Sequence, residues 1–439
     1  MDHKNFERFD MAKPPVRTKW YLRPLTILLS LPDVWKHHVK ITKTRVEGLK
    51  PPYVLLCNHN AFMDFKVATK AIFPKRANYV VAIDGFIGRE KLLRNVGCIC
   101  KRKFTNDFIL IRQLHQVIKN GDIAVIYPEA RYSLCGTTAV LPEALGKLCK
   151  LLNVPVVTMI CHGHHVNSPF WNLHDRKIKP TEAEMTCIFT PEELANASVD
   201  EVNRKIVEMF QYDDFAWQKE RGRKTKYKGN AEGLHKVLYQ CPVCGTEYRM
   251  NSQGVKLFCE ACHSSWTMSP LGELHFDEGS TRMDSEAKAQ TSTVPTGFTH
   301  IPDWYEWERA NVRAEVEAGT YSTGDLSVHV DTLPNAKKFI RLGNGTMRHD
   351  MTGFHVQGTD DEGQPFSMEI PARTQYSVHI EYEYLGKYGD CVDLNTLADT
   401  WYTYPHGTDW AVTKMALATE ELYFYYRRQE GRPCKPGLA

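Results

Sequence analysis

The chain has 439 residues, too many for one ordinary domain, and reads as two or three. Hydrophobic residues make up 42% and charged residues 24%, the balance of a folded protein and not of a disordered one. A net charge of +3 makes no bulk electrostatic case for nucleic-acid binding, and no nucleic-acid partner is expected.

The first twenty residues carry acids and prolines without an apolar core behind a basic start, so they do not read as a signal peptide. The longest early apolar run, 25–31, is bounded by Pro24 and Pro32. A bilayer-spanning helix needs about 20 apolar residues, and no segment here reads as one. Trp20, Tyr21, Leu25, Leu28, Leu29, Leu31 and Trp35 lie among Lys19, Arg23, Lys36 and Lys40. Residues 1–40 are therefore an amphipathic segment that either lies in a membrane interface or packs on the body of the protein.

From about 41 to 230, strand-length apolar runs at 53–57, 79–83, 123–127 and 154–161 alternate with helical stretches at 62–72, 105–120 and 142–152. This alternation predicts an α/β domain with a mainly parallel sheet. The basic run 220–228 reads as a solvated helix end or linker, ahead of a lipid-headgroup or nucleic-acid patch. A compact cysteine-rich unit spans 231–277, and the polar stretch 278–300 reads as a linker. Residues 301–320 look helical, with Trp304, Tyr305 and Trp307 as apolar anchors. The remainder of 301–439 holds short alternating runs, LSVHV, KFIRL, GFHVQG, FSMEI, YSVHIEYEYL and TWYTY, then a helical stretch at 409–426. That pattern predicts an antiparallel β domain closed by a helix, and by analogy a small barrel of the pleckstrin type.

The chemistry concentrates in four blocks. In CNHNAFMDF, 57–65, a strand ends at Cys57 and a helix begins near Phe62. Five residues on one regular helix would put His59 and Asp64 roughly 140° apart. They meet only if His59 precedes the helix and folds back, which the turn formers Asn58 and Asn60 allow; Asn60 is a candidate helix cap. A His held by a carboxylate suits general-base work. IYPEARYS, 126–133, sets Glu129 and Arg131 at a strand's C-terminal end, where open α/β sheets bind ligands. Between these blocks lie Lys101, Arg102 and Lys103, cations of the kind a phosphate-bearing acceptor needs. VPVVTM, 154–159, supplies a further strand opening at Pro155.

In this order and spacing the four blocks resemble the lysophospholipid acyltransferase family, of the 1-acylglycerol-3-phosphate acyltransferase kind, over about 45–230. His59 and Asp64 match its first block, Arg102 the basic end of its second, Tyr127 to Ser133 its third and Pro155 its fourth. Two departures stand out: Ala130 replaces a Gly of the third block with the arginine one position early, and Lys101 stands where an acid is common. The resemblance implies transfer of an acyl chain from acyl-CoA or acyl carrier protein to a lysophosphatidic-acid-like acceptor in phospholipid synthesis. His59 would act as base, oriented by Asp64. Arg102 and Arg131, with Lys101, would hold the acceptor phosphate, and Glu129 would position Arg131 or the hydroxyl. Such an enzyme would work at the cytoplasmic face, peripheral to the inner side of a membrane. Other acceptors (glycerol-3-phosphate, an amino-lipid, another lysophospholipid) and a non-catalytic binding role are the alternatives.

Thirteen cysteines include two tight pairs, Cys241/Cys244 and Cys259/Cys262, fourteen residues apart. The other nine are scattered through apolar runs, which suits a reducing compartment. Two Cys-x-x-Cys knuckles at this spacing read as a four-thiolate structural zinc site, favoured over iron or a redox dithiol. LHKVLYQ, TEYRM, VKLF and SSWTM would be the strands of a zinc ribbon folded largely by its metal. Cys161-His162-Gly163-His164-His165 is too crowded to bind one ion through all its ligands and reads as a strand end running into a polar loop near the site.

Overall fold

The computed structural model describes residues 6–280, 297–384, 388–432, 434, 435 and 437–439. Most of the linker expected at 278–300 lies outside these. The first half of the chain builds strands β1 (Lys40–Thr44), β2 (Val54–Cys57), β3 (Ala77–Ala82), β4 (Cys98–Lys101), β5 (Ile123–Ile126), β6 (Val156–His162) and β7 (Glu182–Phe189). Between and after them come helices α1 (Leu22–Lys36), α2 (Met63–Ile72), α3 (Glu90–Asn95), α4 (Phe108–Lys119), α5 (Ala144–Leu152), α6 (His164–Asn167), α7 (Pro191–Asn196), α8 (Val199–Met209) and α9 (Asp214–Glu220). The sheet order is β1-β7-β6-β2-β5-β3-β4, and every pairing is parallel except β6 with β7. The sheet is thus mixed. β2 is buried at all four positions between β5 and β6, which is why its sequence is a continuous apolar run and not an alternating one.

The cysteine unit folds as a four-stranded antiparallel sheet, β8 (Met250–Gln253), β9 (Lys256–Cys259), β10 (Ser265–Met268) and β11 (Leu274–Phe276), in the order β11-β10-β9-β8. VKLF and SSWTM fall on β9 and β10, whereas LHKVLYQ is not a strand. Leu234, Val237 and Leu238 are all buried, a spacing of three and four that suits the observed 3₁₀ turn at Leu234–Lys236.

Helix Ile301–Glu317 leads into the last sheet: β12 (Leu326–Thr332), β13 (Ile340–Asp350), β14 (Gly353–Thr359), β15 (Pro365–Pro371), β16 (His379–Glu381), β17 (Cys391–Asn395) and β18 (Thr400–Pro405). Helix Val412–Gln429 follows and packs on Ile301–Glu317. The sheet is antiparallel throughout, in the order β15-β14-β13-β12-β18-β17-β16. Its outer strands β15 and β16 do not pair among the described residues, so it is an open sheet and not the closed barrel that analogy suggested.

The domains do not keep separate cores. One apolar cluster runs from Val166, Phe170 and Trp171 through Trp266 of the cysteine unit to Trp304, Val392 and Met415. Another joins Leu55 and Val157 of the first sheet to Leu333, Cys391 and Tyr402 of the last. The last sheet is therefore packed onto the first.

Candidate active site

The C-terminal ends of β2, β5 and β6 meet at one point. Asn58 ties two of them together: its side chain donates to the Cys161 carbonyl at 2.9 Å and accepts from the Cys161 amide at 2.8 Å. His59 follows in the turn, and its backbone carbonyl accepts from Ser133 N at 2.9 Å, so block three braces block one. The ring is sandwiched near Tyr127 and Tyr132, at centroid distances of 4.5 and 4.4 Å.

Asp64, in the first turn of α2, is fully buried. Its Oδ2 accepts from the backbone amides of Asn60 at 2.6 Å and Ala61 at 2.8 Å. Asp64 thus ties down the turn ahead of its own helix, whose start at Phe62 has no side-chain cap; the Asn60 side chain, expected as a cap, reaches the Cys161 carbonyl instead. His59 Nδ1 stands 3.5 Å from the same Oδ2, with the His59 side chain 23% exposed. The structure therefore brings the expected pair together, with His59 as its solvent-facing member. The other oxygen, Oδ1, is 2.5 Å from Nδ1 of His164, itself buried at the β6–α6 turn.

Glu129 is fully buried. It accepts from the Tyr212 hydroxyl at 3.1 and 3.2 Å and from the His59 backbone amide. Burial pushes its carboxyl well above the usual range, and the charge of Asp64 adds to the effect. Glu129 thus holds the His59 turn in place; it does not reach Arg131.

Both arginines expected at the acceptor are committed elsewhere. Arg102 is buried, and its two terminal nitrogens donate to the carbonyls of Leu333, Pro334 and Ala398 and to the Thr400 hydroxyl. Arg131 Nη2 is 2.7 Å from Glu420, which also binds Arg309 at 2.6 Å and Ser377 at 2.8 Å. The two guanidiniums pin the last sheet and its helices to the first domain. Lys101 Nζ donates to the Thr105 carbonyl at 2.9 Å, and burial lowers its pKa. Lys103 lies 3.5 Å from Asp84 and 3.6 Å from Asp393, beside His379 and Glu381. That mixed cluster, contributed partly by β16 and β17, lies behind Phe170, whose ring contacts Tyr132 and His379.

Three residues of the site carried no assignment from sequence: His164, Tyr212 and Asp214. Asp214 accepts from the amides of Gly163 at 3.0 Å and His165 at 2.8 Å, and burial raises its carboxyl to about 7. His164 sits in the polar loop read after β6. The glycine before it, at φ +84°, signals the turn that aims the ring. Tyr212 and Asp214 lie about 150 residues from block one, and no local motif announces them.

In the cysteine unit, Sγ of Cys241 is 3.7 Å from that of Cys262, and Sγ of Cys244 is 3.8 Å from that of Cys259. All four thiols lie within 4.8 Å of one another. Tetrahedral ligands at about 2.3 Å from zinc would be about 3.8 Å apart, so the donor set fits such an ion.

Residues 37–162 match the acyltransferase family model. No curated protein matches the sequence. Among solved structures, the 1-acyl-sn-glycerophosphate (LPA) acyltransferase PlsC of Thermotoga maritima is similar at a TM-score of 0.37 and 13% identity, over 47% of this chain and 82% of that one. The matched segment contains all four blocks, with His59, Asp64, Arg102, Glu129 and Pro155 inside it. Residues 37–162, which hold all four blocks, are thus an acyltransferase-family segment within the chain.

Proposed function

We propose that the protein moves a fatty acyl chain from a thioester donor, acyl-CoA or acyl carrier protein, to the free hydroxyl of a lysophosphatidic-acid-like acceptor in phospholipid synthesis. The observation that carries this is the partly exposed His59 ring backed by the buried carboxylate of Asp64. Nδ1 faces Asp64, which leaves Nε2 for the acceptor. Nε2 takes the hydroxyl proton as the oxygen attacks the thioester carbonyl carbon. The tetrahedral intermediate then collapses, the C–S bond breaks, and the departing sulfur takes the proton back from Nε2. Asp64 holds the ring and stabilises the imidazolium formed in between.

The engagement of Arg102 and Arg131 in the domain interface favours a second reading of the acceptor, one whose headgroup is not a bare phosphate. A panel separates the two. Purified protein is incubated with oleoyl-CoA and, in turn, lysophosphatidic acid, glycerol-3-phosphate, other lysophospholipids and an amino-lipid, following free thiol and lipid product. His59→Ala is expected to lose about three orders of magnitude in rate. Activity with lysophosphatidic acid or glycerol-3-phosphate supports an acceptor with a bare phosphate, and activity with the other lysophospholipids or the amino-lipid supports the second reading. Undiminished turnover in the variant would remove His59 as base, and silence across the panel and with acyl carrier protein donors would leave a binding protein.

Access to a lipid substrate is proposed to run through α1. No described helix is long and apolar enough to cross a membrane. Yet Trp20 and Tyr21 just before α1, and Leu25, Leu28, Leu29 and Trp35 on it, are exposed. It lies along α2, with Lys66 paired to Asp33, and Phe62 at the start of α2 is 64% exposed beside the His59 turn. We assign this surface to the cytoplasmic leaflet. Structural zinc is proposed for the four cysteines: metal analysis should find one zinc per chain, lost in Cys259→Ser.

A further inference from the structure

We infer that His164 is a positioning residue for acyl transfer, holding Asp64 through the carboxylate oxygen that His59 does not face and so setting how strongly Asp64 supports the His59 ring. This rests on the assignment of His59 as base.

The Asp64 carboxylate is shared unequally. Oδ2 already accepts two backbone amides, at 2.6 and 2.8 Å, which fill its two lone pairs, and His59 Nδ1 is the third and longest approach at 3.5 Å. Oδ1 has His164 Nδ1 at 2.5 Å. The shortest side-chain contact of the carboxylate is thus to His164. A terminal carboxylate torsion is soft, so a second imidazole on Oδ1 fixes the plane of the group and keeps Oδ2 turned to His59.

The turn that carries His164 is built for this contact. Gly163 takes φ +84°, and a Cβ there would lie 2.6 Å from Trp217. Asp214 accepts the amides on either side of His164, and Asn167 donates to the Gly163 carbonyl at 2.8 Å. The His164 Nε2 is buried without a partner among the described residues, so the ring spends its hydrogen bonding on Asp64 alone. Other ionisable groups facing the pair are His37 after α1, Cys57 on β2, Tyr127, Glu129 and Tyr132 after β5, Cys161 and His162 on β6, His165 on α6 and Asp214 on α9. None of these makes a contact to Asp64 as short as that of His164. The hydrogen bond draws part of the Asp64 charge toward His164 and away from His59.

The test compares His164→Ala with His164→Asn, whose side-chain amide places an N–H close to the position of Nδ1. The titration of the His59 ring is followed by NMR on protein labelled with ¹⁵N-histidine, which needs no turnover. The pH dependence of kcat is measured beside it. In His164→Ala the ring midpoint and the acidic limb are expected to move up by about half a pH unit, and kcat to fall about 10–100-fold with KM unchanged. His164→Asn is expected to recover most of both. Should the alanine variant not fold, His164→Gln takes its place, since it fills the site but moves the donor to the position of Nε2. An unshifted ring in a folded variant, or Asn behaving like Ala, overturns the inference. Absence of turnover in the wild type would overturn the acyltransferase reading, while the ring titration still decides whether His164 acts on His59 through Asp64.

Discussion

Burial alone would raise the carboxyl of Asp64, but hydrogen bonds from His164 and then His59 outweigh it and bring the group down to about 2. A carboxyl depressed in the folded state contributes stability that is present above its unfolded value, near 3.8, and is lost as pH falls toward 2. The shift corresponds to about 2 kcal/mol. Denaturant unfolding of the wild type and Asp64→Asn should therefore show a stability gap that narrows by about that amount between pH 5 and pH 2. A gap that stays constant would mean that Asp64 is not held as a carboxylate. One position further along the site, Ala130 adopts φ +55°, in the left-handed region, at the place where the third block usually has Gly. The Cβ costs about 1–2 kcal/mol there, and the added freedom of an unfolded Gly returns part of that. Ala130→Gly is expected to raise stability by about 0.5–1 kcal/mol, read from the midpoint of urea unfolding. Ala130 thus holds a backbone conformation that glycine adopts without strain, at the position where the resembled block has Gly.

At the scale of elements, α1 leaves its bulkiest residues uncovered. Leu28 and Leu29 are 63% and 65% exposed, while Ile27, Ser30 and Val34 form the face turned inward. The apolar run 25–31 thus became a helix whose hydrophobic residues mostly face out, the packing expected of a segment made for an interface. Leu28→Asp with Leu29→Asp should reduce co-sedimentation with anionic lipid vesicles about tenfold or more, given the cost of a charge in that region, while thermal unfolding stays where it was. Unchanged vesicle binding would assign the exposed face to something other than a lipid surface. The elements also show which periodicities could be read directly. β2, β5 and β6 are buried on both faces and appear as plain apolar runs. β1, with its mostly exposed pattern, and β7, which alternates, offer no such run. The apolar content of 234–240 suggests a strand, but its buried positions repeat at three and four, which is the spacing of a helical turn.

At the scale of the molecule, the last sheet turns the second block's arginine into a structural bolt. Arg102→Ala would take the guanidinium donor from the buried Leu333 carbonyl and one donor each from the Pro334 and Ala398 carbonyls and the Thr400 hydroxyl, which keep Phe9, Arg8 and Asn395 as partners. The expected loss is about 2–4 kcal/mol, seen in urea unfolding, with turnover per folded molecule largely kept. A raised KM for the acceptor with unchanged stability would instead return Arg102 to substrate binding. The same interface brings Lys103, Asp84, His379, Glu381 and Asp393 together behind Phe170, a mixture drawn from both halves of the chain.

The four blocks, the α/β order of the first domain, the four-thiol unit and the antiparallel character of the last sheet were all legible from sequence. Each is a local property: a periodicity, a spacing or a motif confined to a few residues. The pairing of His59 with Asp64 was legible for the same reason, since five residues and a turn suffice to bring them together. What the tertiary structure decided is where charge goes once distant segments meet. A guanidinium has no preference written in its own neighbourhood between a substrate phosphate and a row of carbonyls. Only the packing of β12–β18 onto the first sheet commits Arg102 and Arg131 to the interface. Likewise nothing near Asp64 in the sequence foretells that its closest partner is a histidine 100 residues on. That contact exists because β6 lies beside β2 in the sheet, and it is long-range geometry, not local pattern, that places a second imidazole on the carboxylate.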